Sequence, residues 1–512
     1  MNRTSSQSDT AWFISKRWDL FILFLVTVSA ALLRIPGIPH GLGFHPDERH
    51  MVMVTESLSN HQMNPRSFAY GSFSFYAAWG FSQLVVFIRW LVFQTSGVRI
   101  WDLAGTYDGI FYSGRIFCTL MGTLTVALSY YLAVLIYKRS VVGLITAFLM
   151  ATNVFHLQLS RFFTSDITLT TLAVISLIAL VKAHQKGTLW SFLVFGACAG
   201  LATATKIASV FLGAPLLLVT GLAIIKEWPR SNSSQRFVKI VGIIVGGFVL
   251  LGLALFLTYW KGYPKIMGRR IAEQAFLIPL SIPFLAGISL ALRAHSRALS
   301  RLFACFTVGV LIFVCAEPYA IIDFETFSRH TQEQTSMVRG IWRPPYTVQY
   351  EKTVPYFYHL KQMLWYTMGW PVFTLVIIGT VVASFRVLLD LLDKVFRREL
   401  VTKSLNPEMI PLPFVLVFFL ATGYFQVKFP RYLIPLYPML FAFAAALFAS
   451  TFRSAKAQIS GVTMDGGGEA EKLVSSKALA APVEVVTSHS PFFEEPPAQA
   501  QAETDTETPP QQ

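Results

Sequence analysis

The sequence predicts an all-α polytopic membrane protein, and three observations carry that expectation. Of 512 residues, 54% are hydrophobic and only 14% charged, against about 25% charged in an ordinary globular chain. Mean hydropathy is +0.53. The charges gather in short gaps between apolar runs close to the roughly 20 residues needed to cross a bilayer as a helix. A cytosolic enzyme, a secreted disulfide scaffold and a soluble nucleic-acid-binding domain are excluded together. The net charge of +14 is spread over the loops, where Lys and Arg set topology. No compact basic patch interleaved with aromatics offers a nucleic-acid surface. Cys118, Cys198, Cys305 and Cys315 all fall inside apolar runs, so they predict neither disulfides nor a zinc site.

Residues 1–17 are polar, with Arg3, Lys16 and Arg17 ahead of an apolar stretch from Leu20 to Leu33. This reads as a start-transfer helix with a cytoplasmic N-terminus; Ser29-Ala30-Ala31 leaves a cleavable signal peptide as the competing reading. Further apolar runs lie at about 112–137, 141–156, 167–183, 189–205, 207–225, 238–260, 275–292, 302–316, 363–387, 411–425 and 432–450, which makes about twelve spans. The run from Ser72 to Phe93 is ambiguous, because it holds Ser72, Ser74, Ser82, Gln83 and Arg89. If it spanned, Lys138-Arg139, Lys182 and Lys186 would move outside; as an outer juxtamembrane helix it leaves them in the cytoplasm, as the positive-inside rule prefers.

With that choice residues 35–110 form a first outer loop, and later outer segments fall near 157–166, near 206, at 261–274, at 317–361 and at 426–431. The segment 261–274 runs against the rule, since it carries Lys261, Lys265, Arg269 and Arg270. The expected organisation is a cytoplasmic N-terminus (1–17), a membrane body (18–451) and a cytoplasmic tail (452–512). The tail is rich in Gly, Ala, Pro, Ser, Thr and Glu and reads as disordered. Gly466-Gly467-Gly468 within it is linker-like, and no nucleotide loop or internal repeat stands out.

Three constellations on the expected outer side could carry chemistry. The first is His45-Pro46-Asp47-Glu48-Arg49-His50. Pro at the first helical position followed by two acids is a good helix start over 46–59, yet acids held beside a bilayer are expensive unless paired or used. Neighbours on a helix point about 100° apart, so Asp47 and Glu48 cannot face each other across a substrate. One can act as a general base while the other orients a neighbour. His45 and His50 stand close enough in sequence to join Asp47 at a cation. The second constellation is Ser160 to Asp166, where Asp166 doubles as a first-turn acid of the following span. The third is a set of cations, Arg34, Arg115, Arg161, Lys206, Lys428 and Arg431. Each can simply snorkel to the headgroups, but together they suit a phosphate at the membrane surface.

The order of a spanning helix, Arg34 to Pro36, His-Pro-Asp-Glu, Asn64 to Tyr70, Ser113-Gly114-Arg115, Ser160 to Asp166, Gly200 to Lys206 and Lys428 to Pro438 resembles the polyprenyl-phosphate-dependent glycosyltransferases of the GT-C superfamily. It looks closest to the protein mannosyltransferase family and its bacterial relatives, including the lipid A aminoarabinose transferases, over roughly residues 18–450. The resemblance implies a GT-C-like bundle with outer-face juxtamembrane helices. It implies Asp47 as the base, Asp166 as a second acid of the active site, and the Lys-Phe-Pro-Arg-Tyr hairpin as the approach to the carrier phosphate. Glu317-Pro318-Tyr319 to Asp323 resembles a further outer loop bordering the cavity.

The expected activity is transfer of a hexosyl or pentosyl unit from a polyprenyl-phosphate-linked donor to a glycan, lipid or protein acceptor, by one inverting displacement. Its phosphate leaving group needs no general acid, while the acceptor hydroxyl needs a base. The catalytic candidates are Asp47, Glu48 and Asp166; the donor-phosphate candidates are Lys206, Lys428, Arg431 and Arg161. His45, Arg115, Tyr319 and Tyr432 are expected in the cavity wall. No cofactor is assigned, and a divalent cation stays open, with Asp47, His50 and Asp166 as its ligands if one is present. The expected setting is a bacterial plasma (inner) membrane, with the site facing the periplasm or exterior. The competing class is a secondary transporter of a lipid-linked or small anionic substrate; transporters place essential polar groups near the midplane, where these spans are apolar.

Overall fold

The structure, a computed structural model, describes residues 4–39, 45–61, 63–100, 102–227, 238–247, 249–250, 277–397 and 406–465. Every regular element among them is helical. α1 (Thr4–Arg34) is followed by a 3₁₀ turn at Ile35–Gly37 and then by α2 (Pro46–Ser57), α3 (Ser72–Ser96), α4 (Tyr107–Tyr137), α5 (Ser140–Thr152), α6 (Val154–Leu159), α7 (Ser165–Lys186), α8 (Leu189–Thr203) and α9 (Gly213–Glu227). After α10 (Val238–Gly247) come α11 (Leu277–Leu292), α12 (Arg297–Ala316), α13 (Phe324–Val338), α14 (Trp370–Phe396), α15 (Pro411–Tyr424) and α16 (Tyr437–Asp465). The compact helical unit ends at Phe452. α16 runs past the expected boundary, and residues 466–512 of the expected tail lie outside the described residues, as does the basic segment 261–274.

Among the described residues eight helices are long and apolar enough to cross a membrane, α3 among them, and α5, α8, α10 and α11 are shorter apolar helices. The chain is an integral membrane protein, while twelve crossings remain an expectation. α3 leans on the first part of α4: the Phe81 and Phe117 rings lie 6.4 Å apart, and Arg89 reaches back to Asp102 in the connecting loop at 3.4 Å. As α3 advances, its partners retreat from Phe117 to Asp102, so α3 leads past the beginning of α4 and leaves the remainder to other helices.

Local chemistry explains the breaks. Pro46 opens α2 with Asp47 and Glu48 in its first turn, close to the expected 46–59 helix. Asn153 divides the 141–156 run: it ends α5, and its side chain accepts from His156 N at 2.9 Å to start α6. Gly187, at φ +60°, ends α7 in the left-handed region. The expected 363–387 span begins only at Trp370, because Gly369 at φ +76° and Pro371 start the helix afresh.

α7 is the hub, buried along almost its whole length. It packs between α4 and α8, and α8 in turn lies against α12. There the Gly196 and Gly200 backbones pass so close to Cys305 O and Gly309 O that an added Cβ would sit 2.4 Å from either oxygen. Fixing α7 fixes Asp166 at its first turn, and fixing α8 fixes Lys206 just beyond its end.

Candidate active site

Asp47 and Glu48 share one helical turn and have different fates. Glu48 points inward with no exposure and is gripped by Arg115, whose Nε and one terminal nitrogen donate to its two carboxylate oxygens at 2.7 Å each. The Phe163 amide adds a third bond to Glu48 at 3.0 Å, and Arg115 spends its other terminal nitrogen on the Ile38 carbonyl. This pair ties the first outer loop to α4 and to the turn before α7. These bonds hold the loop in place.

Asp47, about 100° around the helix, faces the other way. Its Oδ2 lies 2.7 Å from an Arg431 terminal nitrogen. Arg431 also brings Nε to 3.7 Å from Asp166 Oδ2, and Asp166 Oδ1 accepts from Lys206 Nζ at 2.7 Å. Four charged side chains from four separate parts of the chain therefore form one row, Asp47, Arg431, Asp166, Lys206. Asp166 is the deepest at 2% exposure, while Asp47, Arg431 and Lys206 keep 15–19%. Arg431 Nε is buried and makes no hydrogen bond to a described residue. Phe429 lies under the guanidinium at 4.3 Å, and Tyr432 faces the Lys206 ammonium at 4.8 Å, both within cation–π range.

Two cavities flank the row. The larger, about 280 Å³, is lined by Asp166, Lys206, Glu317 and Tyr432, by apolar side chains that include Leu169, Val210, Phe211 and Phe418, and by the polar Thr331, Gln334 and Thr335. Ile207 and Val210 on its wall are 65% and 63% exposed. The smaller, about 120 Å³, lies on the other side of Arg431 between His45, Phe155, Gln158, Phe162 and Phe429. Burial lowers the His45 imidazole below its usual pKa, with Arg431 acting in the same direction and Asp47 opposing.

The structure brings together Asp47, Asp166, Lys206, Arg431, His45 and Tyr432 among the residues singled out from sequence. It sets others apart. Lys428, only three positions before Arg431, is 1% exposed, bonds the Gln426 carbonyl at 3.2 Å and lies beside His359. Burial lowers the pKa of Lys428, and burial together with this ammonium brings the His359 imidazole down to about 4. Arg161 caps the end of α1 through the Leu33 carbonyl, and Arg34 turns inward to His156 Nδ1 at 2.8 Å. Tyr319 sits in the turn after Glu317, near Tyr76. His50 bonds Ser67 Oγ at 3.0 Å. Among the described residues no three His, Cys, Asp or Glu side chains converge to hold a metal ion, so Asp47, His50 and Asp166 do not form the expected trio; the Arg431 guanidinium stands between the two acids.

Sequence reasoning gave Glu317 no role of its own. It is 1% exposed, lines the larger cavity, and accepts from both Ser72 N and Ser72 Oγ at 2.5 Å. The available signal was its position, an acid directly after the apolar run that ends at Ala316.

Comparison with known proteins adds the following. The archaeal oligosaccharyltransferase AglB from Archaeoglobus fulgidus, solved with an inhibitory peptide and a dolichol-phosphate, aligns at 14% identity with a TM-score of 0.47, covering 87% of this chain and 52% of its own. ArnT from Cupriavidus metallidurans aligns at 13% identity and TM-score 0.46 in its apo state, covering 91% and 66%. Bound to undecaprenyl phosphate it aligns at 13% and 0.44, covering 85% and 60%. The chain thus spans about half the length of the archaeal enzyme and about two thirds or less of ArnT. No curated protein sequence matches. Residues 109–260, which carry Arg115, Asp166 and Lys206, match the family model of the dolichyl-phosphate-mannose-protein mannosyltransferases, and this supports the GT-C family resemblance drawn from the motifs.

Proposed function

We propose that the protein is a membrane glycosyltransferase that moves a monosaccharide from a polyprenyl-phosphate-linked donor to a glycan, lipid or protein hydroxyl at the outer face of a bacterial plasma membrane. The observation that carries this reading is one cavity that joins the charged Lys206 and Asp166, beside Tyr432, to a largely apolar lining. A ligand with a phosphate head and a long hydrocarbon tail fits that chemistry. The wall residues Ile207 and Val210 would let the tail continue into lipid. The family description, with its dolichyl-phosphate mannose donor, agrees with it.

In this mechanism Lys206 and Arg431 hold the carrier phosphate, and Asp47 takes the proton of the acceptor hydroxyl as that oxygen attacks C1 of the sugar. The C1–O bond to phosphate breaks, the electron pair leaves with the phosphate, and the anomeric centre inverts. When the donor phosphate recruits Arg431, Asp47 loses that partner as the acceptor arrives. Asp166 stays ion-paired with Lys206 and keeps the ammonium directed at the cavity. The smaller cavity beside His45 and Phe162 is then the acceptor's side.

The test is release of polyprenyl phosphate from polyprenyl-phosphate mannose, and from a panel of other hexose and pentose donors, by the protein in nanodiscs. Saturable binding of polyprenyl phosphate is measured in parallel. Lys206→Ala should weaken that binding by about 10- to 150-fold, the scale of one charge-assisted hydrogen bond. Neither release nor binding in the wild type would overturn the assignment, and transport of an intact substrate across the vesicle membrane would favour the transporter class.

A further inference from the structure

The first outer loop and the segment 317–330 are joined at three places. Ser72 donates to Glu317 twice, Asn64 Nδ2 donates to Asp323 Oδ2 at 3.3 Å, and the Phe68 amide donates to His330 Nδ1 at 3.1 Å. On its other side the same strand of loop bonds the end of α8: Gly71 N donates to Thr205 O at 3.1 Å and Phe73 N to Ala204 O at 3.0 Å. The approach is so close that a Cβ on Gly71 would fall 2.0 Å from Ala204 O. Lys206 is the next residue, and Glu317 borders the same cavity as Lys206.

We propose that Glu317 is a positioning residue which, by clamping the first turn of α3, fixes the Gly71–Thr205 backbone contact and thereby the placement of Lys206 in the donor cavity. This rests on the donor reading given above. Burial is the main cost to the Glu317 carboxylate and pushes it up to about 7, while its two bonds from Ser72 oppose that shift. A buried acid whose hydrogen bonds both go to one residue spends its acceptor capacity on holding that residue. The start of a helix offers amide donors and a favourable dipole for such a carboxylate. Glu317 bonds α3 and, among the described residues, makes no ion pair with Lys206, so its effect on the donor passes through the backbone of residues 71–73 and 204–206.

The experiment compares wild type, Ser72→Ala, Glu317→Gln and Glu317→Ala in nanodiscs, with two readouts. Amide hydrogen exchange over residues 68–76 requires no donor. It should accelerate about ten-fold or more in Glu317→Ala, less in Ser72→Ala, which keeps the amide bond, and little in Glu317→Gln, whose amide can still accept from Ser72 N and donate to Ser72 Oγ. Affinity for polyprenyl phosphate should fall in the same order, by roughly ten-fold in Glu317→Ala, and be largely restored in Glu317→Gln. Unchanged exchange in Glu317→Ala overturns the clamp. Accelerated exchange with wild-type affinity overturns the link to Lys206. A Glu317→Gln that holds the loop yet loses affinity as fully as Glu317→Ala would mean that Glu317 meets the ligand directly. Should Glu317→Ala fail to fold, the Ser72→Ala and Glu317→Gln pair decides between the same outcomes. If the wild type binds no polyprenyl phosphate while exchange responds as expected, the clamp stands and the donor reading fails.

Discussion

At the scale of single residues the informative contrast is between Asp47 and Glu48. One carboxylate lies in a row of alternating charges with 17% exposure, and the other is sealed against Arg115. Asp47→Asn keeps shape and most hydrogen bonding while removing proton acceptance, so turnover of a lipid-linked sugar should fall by roughly 10²-fold or more, with little change in thermal unfolding. Near-normal turnover would move the base to another group. Glu48→Gln should behave oppositely. It leaves the buried Arg115 guanidinium without its counter-charge, a change that costs about 3–5 kcal/mol when a buried pair is broken, and an unfolding transition in detergent measures it. The sequence placed both acids correctly at a helix start, and the 100° step between them followed from helix geometry. Which of the two joins the row of charges did not follow, because that depends on where Arg115 of a distant helix and Arg431 arrive.

At the scale of elements, the apolar runs located almost every helix, and helix-start chemistry located α2 and the first turn of α7. The hairpin 426–431 was harder to read. Lys428 and Arg431 look like one basic group along the chain, yet Phe429 stays extended and a 3₁₀ turn begins at Pro430. Arg431 therefore enters the site, while Lys428 turns to His359 under the end of α15. Lys428→Ala should accordingly leave affinity for polyprenyl phosphate within about two-fold, the scale of an interaction that is absent, even if it alters stability. A loss as large as that for Lys206→Ala would return Lys428 to the phosphate site. Glu317 escaped notice for a related reason: its partner Ser72 is 245 positions away, and no local pattern records such a pairing.

At the scale of the whole molecule, Asp47, Asp166, Lys206 and Arg431 can act together only from one membrane face. Asp166 lies in the first turn of α7 and Lys186 in its last. Those 22 residues rise about 33 Å at 1.5 Å each, close to the ~30 Å hydrocarbon core of a bilayer. α7 therefore sets its two ends at opposite surfaces if it crosses, and by the positive-inside rule the basic residues Lys182, Lys186 and Lys138-Arg139 are expected on the cytoplasmic one. The measurement replaces the four native cysteines and introduces one at exposed Asn60, on the site side, or at exposed Lys186. In intact cells an impermeant thiol reagent should label Asn60→Cys and leave Lys186→Cys unlabelled until the membrane is permeabilised. The reverse pattern would turn the site toward the cytoplasm, where an acceptor made inside the cell could reach it. Labelling of both from outside would mean that α7 does not cross, and would remove the common face on which the donor cavity, the base and the acceptor cavity all rely.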